Sequence, residues 1–301
     1  MPHYFAAIEA GGTKFNCLVA SGPDDLIAEK RFSTIDPETT LRQVSDWLLI
    51  QAQDYPLEAV GIGSFGPVDL DQASPTYGYI TSTPKPGWRY APFLPFIQEA
   101  LHLPVAFETD VTVAALGEGA WGAAQGLQDY IYYTIGTGIG AGIIVNGQPV
   151  HGILHPEIGH MLLPHDLQKD PFRGNCPYHV DCFEGLATGP AMEKRWGAKA
   201  ETLPVDHPAW ALESEYIAAA LHNTILAFAP QRIILGGGVM QQSQMFPLIR
   251  RRVVDLLGGY FQSPIVLEEI DKYITPPALG SRAGVLGALW LAMQIKGENG
   301  C

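Results

Sequence analysis

The chain opens with an alternation of apolar runs and small polar turns that predicts a β-hairpin. In "YFAAIEAGGTKFNCLVA", residues 4–20, two apolar runs flank a Gly-Gly-Thr-Lys turn, the pattern of two strands joined by a glycine-rich tip. The pattern returns in "YIYYTIGTGIGAGIIVNGQPV", residues 130–150, with small residues at the bend: Gly136, Thr137, Gly138 and Gly140. Two such units, about 125 residues apart, indicate a duplicated fold.

Neither glycine turn has the pattern of a dinucleotide-binding or P-loop site. In a Rossmann fingerprint the glycines open a helix, whereas "AGIIVNG", residues 141–147, continues as a strand. The second turn also has no lysine at the Walker position. The pattern therefore favours two duplicated halves over a single Rossmann unit.

Helical and strand patterns alternate through the rest of the chain, which predicts an α/β fold. Apolar positions from Leu41 to Leu48 have helical spacing. We predict further strands at 57–69, 104–110, 232–238 and 264–269 ("PIVLEE"), and helices at 111–124, 211–228, 243–257 and 283–293. Residues 71–93, rich in proline and glycine, predict a long surface loop. A chain of 301 residues favours two lobes of roughly 150 residues each.

The charge balance limits the kinds of partner. The chain has 31 acidic and 18 basic residues, for a net charge of -13, and such a surface repels a phosphate backbone or an anionic membrane. We therefore expect neither nucleic acid nor a membrane as partner. The first residues have no basic n-region, and no stretch reaches the ~18 apolar residues of a spanning helix. These features predict a soluble, cytoplasmic protein.

Cysteine and histidine are concentrated in "CPYHVDCFE", residues 176–184. The four cysteines, Cys17, Cys176, Cys182 and Cys301, do not have the pattern of a secreted disulfide framework. Cys176, His179 and Cys182 are three apart, and thiolates and imidazoles are the ligands of structural zinc, which takes four. His160 is the nearest candidate for the fourth ligand. A Cys176–Cys182 disulfide and a surface role for His179 are open alternatives.

Several motifs occur here in the order, and near the spacing, of a known family: "GGTK", "GIGSFGPVD", "ETD", "GTGIGAG", "HPEIGH", "CPYHVDCFEGLATGPA" and "ILGGGV". From Glu9 to about Gly287 the chain resembles the ROK sugar kinases, and within them the bacterial fructokinase branch. The resemblance implies an actin-like (ribonuclease H-like) duplicated fold of two lobes with a central cleft. The expected lobes are residues 1–115, completed by a helix at about 283–301, and residues 116–282. The second lobe includes the zinc knuckle, which is the segment "CPYHVDCFE" at residues 176–184.

The same resemblance implies an activity, its cofactors and a nucleotide site. We expect ATP-dependent phosphorylation of a hexose, D-fructose to fructose 6-phosphate, with Mg²⁺, a structural Zn²⁺ and a homodimer. Glycine-rich tips let backbone N–H groups approach phosphates, so one tip is expected at Gly11, Gly12, Thr13 and Lys14, and another at Gly136, Thr137 and Gly138. Adenosine is expected along Pro190, Gly236, Gly237, Gly238, Val239 and Met240. A plain tight hairpin is the alternative for each tip.

The resemblance makes Asp110 the expected general base: it ends a predicted strand just before a helix and could accept the proton of the attacking hydroxyl. The sequence alone favours a helix N-cap for Asp110, and both roles could coexist. The resemblance implies sugar contacts for Gly66, Thr109, Asp110, Glu157, His160 and Glu184. The predicted zinc ligands His160, Cys176, His179 and Cys182 would then fix the segments that carry Glu157 and Glu184.

Three positions depart from the broad family pattern. Glu9 stands where aspartate is common, Thr109 where many relatives have asparagine, and His179 where the knuckle usually has a third cysteine. The last change favours the fructokinase branch over the glucokinases. Alternative functions are a glucokinase, mannokinase or N-acetylhexosamine kinase, or a sugar sensor related to ROK repressors. A repressor is disfavoured because those proteins carry a helix-turn-helix before the first glycine tip, which here is already at residue 11.

Overall fold

The computed structural model describes residues 2–298, with side chains up to residue 295. Two compact units are present. The first comprises the chain up to Gly126, residues Pro149–Pro156 and the chain from Ser281 onward, and the second comprises Leu127–Gln148 and Glu157–Gly280. The lobe ranges expected from the sequence stay a prediction. Cys301 and the end of the predicted last helix lie outside the described residues.

Each unit contains a five-stranded sheet. The strands are β1 (Tyr4–Ala10), β2 (Lys14–Gly22), β3 (Asp25–Ser33), β4 (Leu57–Ser64), β5 (Val105–Thr109), β6 (Tyr130–Ile135), β7 (Ile139–Val145), β8 (Gln148–Pro149), β9 (Arg232–Gly236) and β10 (Ile274–Thr275). The orders are β3-β2-β1-β4-β5 and β10-β9-β6-β7-β8. Read from β8, the second order repeats the first, so the prediction of a duplicated α/β fold is confirmed.

The two predicted hairpins are present, and they occupy equivalent places. β1 pairs antiparallel with β2 and parallel with β4. In the second sheet, β6 pairs antiparallel with β7 and parallel with β9. Each glycine-rich tip therefore connects two antiparallel strands, and a parallel strand lies on the other side of the first one.

Ten helices cover the sheets within residues 2–298. They are α1 (Pro37–Asp54), α2 (Phe93–Leu101), α3 (Asp110–Trp121), α4 (Phe183–Ala187), α5 (Gly189–Trp196), α6 (Ala209–Phe228), α7 (Met245–Leu257), α8 (Pro264–Leu267), α9 (Ile270–Tyr273) and α10 (Ala283–Glu298). None of these helices combines the length and apolar character needed to cross a membrane.

Glycines set the close packing of α10 in the first unit. A Cβ on Gly287 would lie 1.6 Å from the carbonyl oxygen of Val113 in α3. A Cβ on Gly61 of β4 would lie 1.9 Å from the carbonyl oxygen of Ala288. Side chains at these positions would collide with backbone, so glycine allows α10 to contact both α3 and the sheet. This packing fixes α3, whose first residue is Asp110.

Part of the predicted surface loop at 71–93 is buried, and the prediction is wrong for that part. Trp88 is fully buried, and its ring lies 5.6 Å from that of Phe15, between centroids. Its indole N–H donates to the carbonyl oxygen of Ile35 at 2.9 Å. The indole can be buried because its polar group has a partner, and it fastens the loop to the segment after β3.

The predicted strand "PIVLEE" is also wrong, since Pro264–Leu267 form α8. Proline has no N–H for a strand ladder but suits the first turn of a helix. The carbonyl oxygen of Ser263 accepts hydrogen bonds from the N–H groups of Val266 and Leu267, each at 3.0 Å. The place beside β9 is taken instead by β10.

Candidate active site

The first glycine tip, Gly11–Lys14, is exposed and braced from one side. Its turn is closed by a hydrogen bond from the N–H of Gly11 to the carbonyl oxygen of Lys14 at 2.9 Å. Thr34 supports it twice: its hydroxyl donates to the carbonyl oxygen of Gly11 at 2.8 Å, and its N–H donates to that of Thr13 at 3.0 Å. Gly12, Thr13 and Lys14 face solvent, so this tip can meet a ligand.

Glu9 lies at the base of this tip and is held by polar neighbours. Asn16 donates to its carboxylate at 2.7 Å, and Arg31 in turn donates to Asn16 at 3.0 Å. Burial raises the pKa of Glu9, and the Asn16 hydrogen bond and the charge of Lys14 oppose that shift. A Cβ on Gly284 would lie 2.3 Å from the Glu9 carboxylate. Glycine at 284 therefore provides the room for glutamate at position 9.

The start of α3 separates the roles of Thr109 and Asp110. Thr109 is the N-cap: its hydroxyl oxygen accepts from the N–H of Thr112 at 3.1 Å and donates to the Thr112 hydroxyl at 2.7 Å. Asp110 is the first helical residue, and its carboxylate accepts from the N–H of Val111 at 2.9 Å. The N-cap alternative for Asp110 is therefore wrong. The positive end of the helix dipole stabilises a carboxylate in this position.

A pair of histidines that the sequence analysis did not select lies beside this helix start. His151 forms an ion pair with the buried Glu108 at 2.9 Å, and the N–H of Val68 donates to His155 at 3.2 Å. Hydrogen bonding to Glu108 raises the pKa of His151, while burial and the charge of His151 lower that of His155 to about 4. His155 is therefore neutral, and a Cβ on Gly66 would lie 3.5 Å from its ring. These contacts fasten residues 149–156 to the ends of β4 and β5.

The second glycine tip is tied to Glu184, which the sequence analysis placed only at the sugar. The tip closes through the N–H of Gly136 and the carbonyl oxygen of Gly138, 2.9 Å apart. Glu184 accepts from the N–H of Ile139 at 3.0 Å, and a Cβ on Gly138 would lie 3.0 Å from the same carboxylate oxygen. Glu184 therefore contacts the tip directly.

A cavity of about 400 Å³ opens beside the second tip. We call it the nucleotide cavity, after the nucleotide residues expected there from the sequence; its lining residues are Gly136, Thr137, Gly189, Pro190, Glu193, Lys199, Ala200, Glu201, Gly238, Val239, Gln241 and Gln242. Five of these belong to the predicted nucleotide residues. Apart from Pro190, the lining from α5 to residue 201 was not predicted, and neither were the two glutamines, because their sequence carries no phosphate-binding signal.

The other predicted adenosine residues, Gly236, Gly237 and Met240, do not line the cavity. Gly237 has a φ of +91°, and a Cβ there would lie 2.4 Å from the carbonyl oxygen of Ile135. A Cβ on Gly236 would lie 2.2 Å from the hydroxyl of Tyr132. Both glycines allow the turn after β9 to lie close to β6, which places Gly238 and Val239 at the cavity.

Glu157 and Glu184 form a pair of neighbouring carboxylates in the second unit. The pKa of Glu157 is raised to about 7, first by burial and then by the charge of Glu184. A 3-10 turn at Ile158–His160 follows Glu157, and a Cβ on Gly159 would lie 1.9 Å from the carbonyl oxygen of Ile139. Ile139 therefore contacts the segments of both glutamates. Its N–H donates to Glu184, and its carbonyl oxygen lies against Gly159, two residues after Glu157.

The predicted metal ligands come together. One ligand atom from each of His160, Cys176, His179 and Cys182 lies within 4.8 Å of the other three. Nδ1 of His160 is 3.5 Å from the Cys182 sulfur and 3.8 Å from the Cys176 sulfur, which is also 3.8 Å from Nδ1 of His179. Tetrahedral zinc with ordinary Zn–N and Zn–S bonds separates two such ligands by about 3.6 Å.

The distances and the donor types therefore fit a four-ligand metal site. Cys176 and Cys182 are free thiols, which contradicts the disulfide alternative. His179 is exposed, yet its ring nitrogen belongs to the cluster. The short contacts of His160 with both sulfurs are through Nδ1, so Nε2 is the nitrogen that remains for another ligand.

A buried polar network supports the chain between the predicted metal ligands. Asp170 pairs with Arg195 at 3.1 Å and accepts from the hydroxyl of Tyr216 at 2.6 Å. His165 is bonded to Asp181, the neighbour of Cys182, at 3.1 Å. Removing one partner of such a buried ion pair typically costs about 3–5 kcal/mol. The network thus joins the predicted metal ligands to α5, whose first turn lines the nucleotide cavity.

Comparisons with known proteins find similar sequences and similar structures. The sequence profile of the ROK family matches residues 5–295. The chain is 46% identical over 288 residues to a fructokinase of Pediococcus pentosaceus, covering 95% of this chain and 96% of that protein. It is 40% identical over 296 residues to a fructokinase of Lactococcus lactis subsp. cremoris, covering 98% and 99%. The crystal structure of a ROK family glucokinase from Streptomyces griseus, in complex with glucose and AMPPNP, superposes with a TM-score of 0.77 at 26% identity, covering 97% of this chain and 99% of that one.

Proposed function

The chain belongs to the ROK family, and from that premise we propose that it is an ATP-dependent fructokinase that converts D-fructose to fructose 6-phosphate. Similarity to named fructokinases over nearly the whole chain supports fructose as the sugar. The observation that carries the kinase proposal is the position of Glu184. Its carboxylate accepts from the N–H of Ile139 beside the second glycine tip, and its charge raises the pKa of Glu157. A phosphate-binding turn and a hydroxyl-binding carboxylate pair then belong to one site.

The nucleotide is proposed to bind through backbone groups. The tips Gly11–Lys14 and Gly136–Gly138 offer N–H groups to phosphate oxygens, and the nucleotide cavity takes the adenosine. Magnesium neutralises charge on the transferred phosphoryl group when it is bound. Glu9 would hold Mg²⁺ or its waters, since carboxylate oxygens are ligands that this ion prefers.

Asp110 is proposed as the general base. Phosphoryl transfer needs positioning, charge neutralisation and a proton acceptor for the attacking hydroxyl, and little covalent help from the protein. Asp110 is half-buried and has its carboxylate at the start of α3, and Thr109 performs the capping. Its carboxylate would accept the hydroxyl proton as the oxygen attacks the γ-phosphate.

The sugar is proposed to be held by acceptor-only carboxylates and by His160. Glu157 and Glu184 would accept hydrogen bonds from sugar hydroxyls, and Nε2 of His160 can contact a further hydroxyl while Nδ1 faces the thiols. Gly66 and Thr109 stay predicted sugar contacts. The Thr109 hydroxyl is buried and used in the cap, so any contact with the sugar would compete with that bond.

The four predicted ligands are proposed to hold one structural zinc; they are His160, Cys176, His179 and Cys182. Four N/S ligands without a fifth open position are typical of a structural site. The ion would join the segment of His160, which follows Glu157, to the segment of Cys182, which precedes Glu184. Its role is to hold the two carboxylate segments in place, while the proton and phosphoryl transfers occur elsewhere.

A coupled assay of ADP release with MgATP and a panel of hexoses tests the proposed function. Fructose is expected to have the highest kcat/KM, and a higher value with glucose, mannose or an N-acetylhexosamine would replace fructose by that sugar. No turnover with any hexose would contradict the kinase. The homodimer stays a prediction, which light scattering on the purified chain tests.

Gly238→Val is expected to raise the KM for ATP by about tenfold or more, while the KM for fructose changes little. Gly238 lines the nucleotide cavity, and a Cβ there meets nothing within 4 Å. The added methyl groups therefore enter the cavity without displacing the fold. Gly22→Val is the matched control, because Gly22 has equally open surroundings at the end of β2. Equal increases in both KM values would contradict the assignment of the cavity.

Lowering the pH through about 7 is expected to raise the KM for fructose. Burial and the charge of Glu184 raise the pKa of Glu157 to about 7, so its carboxylate is an ionised acceptor above that pH and a protonated group below it. Measuring the KM for fructose between pH 6 and about 8.5 checks this. The same profile in Glu157→Gln should be flat across the range. A wild-type profile without a change near pH 7 would contradict the role of Glu157.

A further inference from the structure

Five of the six polar side chains that line the nucleotide cavity are exposed to solvent. Thr137, Glu193, Lys199, Glu201 and Gln241 face solvent, and Gln242 is half-buried. The lining is otherwise made of glycine, Pro190, Ala200 and Val239, and Val239 is the buried member. Among the residues that line this cavity, the buried surface is therefore apolar.

Selection between two bases requires buried polar groups. A site rejects a ligand strongly when that ligand leaves a buried donor or acceptor without a partner. Exposed side chains such as Glu193 and Lys199 keep water as a partner, so a base that does not match them costs little. Adenine and guanine differ at the purine 6 and 2 positions by an amino group, a carbonyl oxygen and a second amino group. No buried side chain of the lining is polar, so none of them can read that difference.

Gln242 is the half-buried exception, and its geometry does not select a base either. Gln244 donates to its amide oxygen at 3.1 Å, which leaves both N–H donors of Gln242 and one lone pair of that oxygen for a ligand or for water. A donor of this kind can meet the N3 or N7 acceptor, and adenine and guanine share both.

We propose that the nucleotide cavity accepts guanine nucleotides as well as adenine nucleotides, so that GTP is a second phosphoryl donor. This proposal rests on the proposed function, which places the nucleotide in this cavity. In the reaction, the bond between the γ-phosphorus and the β,γ-bridging oxygen breaks and a bond from the sugar oxygen forms. The hydroxyl proton goes to Asp110, and GDP leaves with the bridging oxygen.

Titration calorimetry of the full chain with ADP and with GDP, each with MgCl₂, tests the binding. The Kd of GDP is expected within about tenfold of that of ADP. A larger ratio, or no binding of either diphosphate, overturns the proposal. Initial rates with fructose and either ATP or GTP add a second readout. Comparable Kd values without fructose turnover would contradict the fructokinase and leave this proposal supported, whereas turnover with ATP alone would overturn GTP as a donor.

Two glutamine variants examine the contact with the base. Gln242→Ala is expected to weaken the binding of ADP and of GDP by similar factors, because the amide N–H of Gln242 meets an acceptor that both bases have. Gln53→Ala is the matched control, since Gln53 is an exposed glutamine on α1. Weaker binding of ADP alone would make Gln242 an adenine-selecting residue and would overturn the proposal. No change with either diphosphate would overturn the assignment of Gln242 to the base.

Discussion

Asp110→Asn is expected to lower kcat by roughly 10²–10⁴-fold, the usual contribution of a positioned general base. Asparagine has nearly the same shape as aspartate, and its carbonyl oxygen can still accept the hydrogen bond that Asp110 accepts from the N–H of Val111. The change therefore removes the proton acceptor and leaves the helix start in place. Initial rates in the coupled assay measure the effect, and the KM for ATP should change little.

The control for this variant is Asp36→Asn. Asp36 is also an aspartate at a helix start, and it caps α1 by accepting from the N–H of Thr39 at 2.8 Å. Loss of negative charge at a helix N-terminus costs about 0.3–1 kcal/mol, so both variants should show small changes in Tm. Near-normal kcat in a folded Asp110→Asn protein would leave Asp110 with a helix-dipole role and no role in proton transfer.

The fold was predictable where one local pattern determined the structure. The apolar runs on either side of Gly11–Lys14 and of Gly136–Gly138 predicted β-hairpins, and both hairpins are present. The recurrence of this pattern predicted the duplication. The segment "PIVLEE" was not predictable from periodicity, because a short apolar run suits a strand and a helix equally. Pro264 decided the outcome, since it suits a first helical turn better than a ladder.

The candidate site was predictable in proportion to how distinctive its residue types are. Cysteine and histidine at regular spacing have few roles in a reduced protein, so the knuckle could be predicted together with His160 from a separate segment. The capping of α3 was ambiguous because Thr109 and Asp110 are adjacent and both are good N-caps. Only the backbone geometry shows that Thr109 is the cap.

Long-range polar pairs could not be predicted, because nothing local marks either partner. Glu108 and His151 meet at 2.9 Å from distant positions in the chain, and so do Asp170 and Tyr216 at 2.6 Å. Their burial depends on how loops fold over the sheets. The exposed polar lining of the nucleotide cavity has the same origin, since Gln242 and Lys199 come from separate segments.

Metal analysis of protein purified without added zinc is expected to find about one zinc per chain, because a closed four-ligand site holds its ion tightly. Cys176→Ser and His179→Ala should each lower the zinc content. They should also lower Tm by at least about 5 °C, since the binding free energy of a structural ion is part of the folding free energy. His222→Ala, a histidine outside the cluster, should retain both zinc and Tm.

Loss of zinc is expected to lower activity by weakening the binding of fructose. Glu157 and Glu184 lie within three residues of His160 and Cys182 respectively, so a released knuckle frees both carboxylates and the KM for fructose should rise. The nucleotide cavity is lined by other segments, and the KM for ATP should change less. The buried pair of Asp170 and Arg195 keeps α5 attached when the ion is absent. A metal-free protein with wild-type KM for fructose, or a native Cys176–Cys182 disulfide, would contradict the structural zinc.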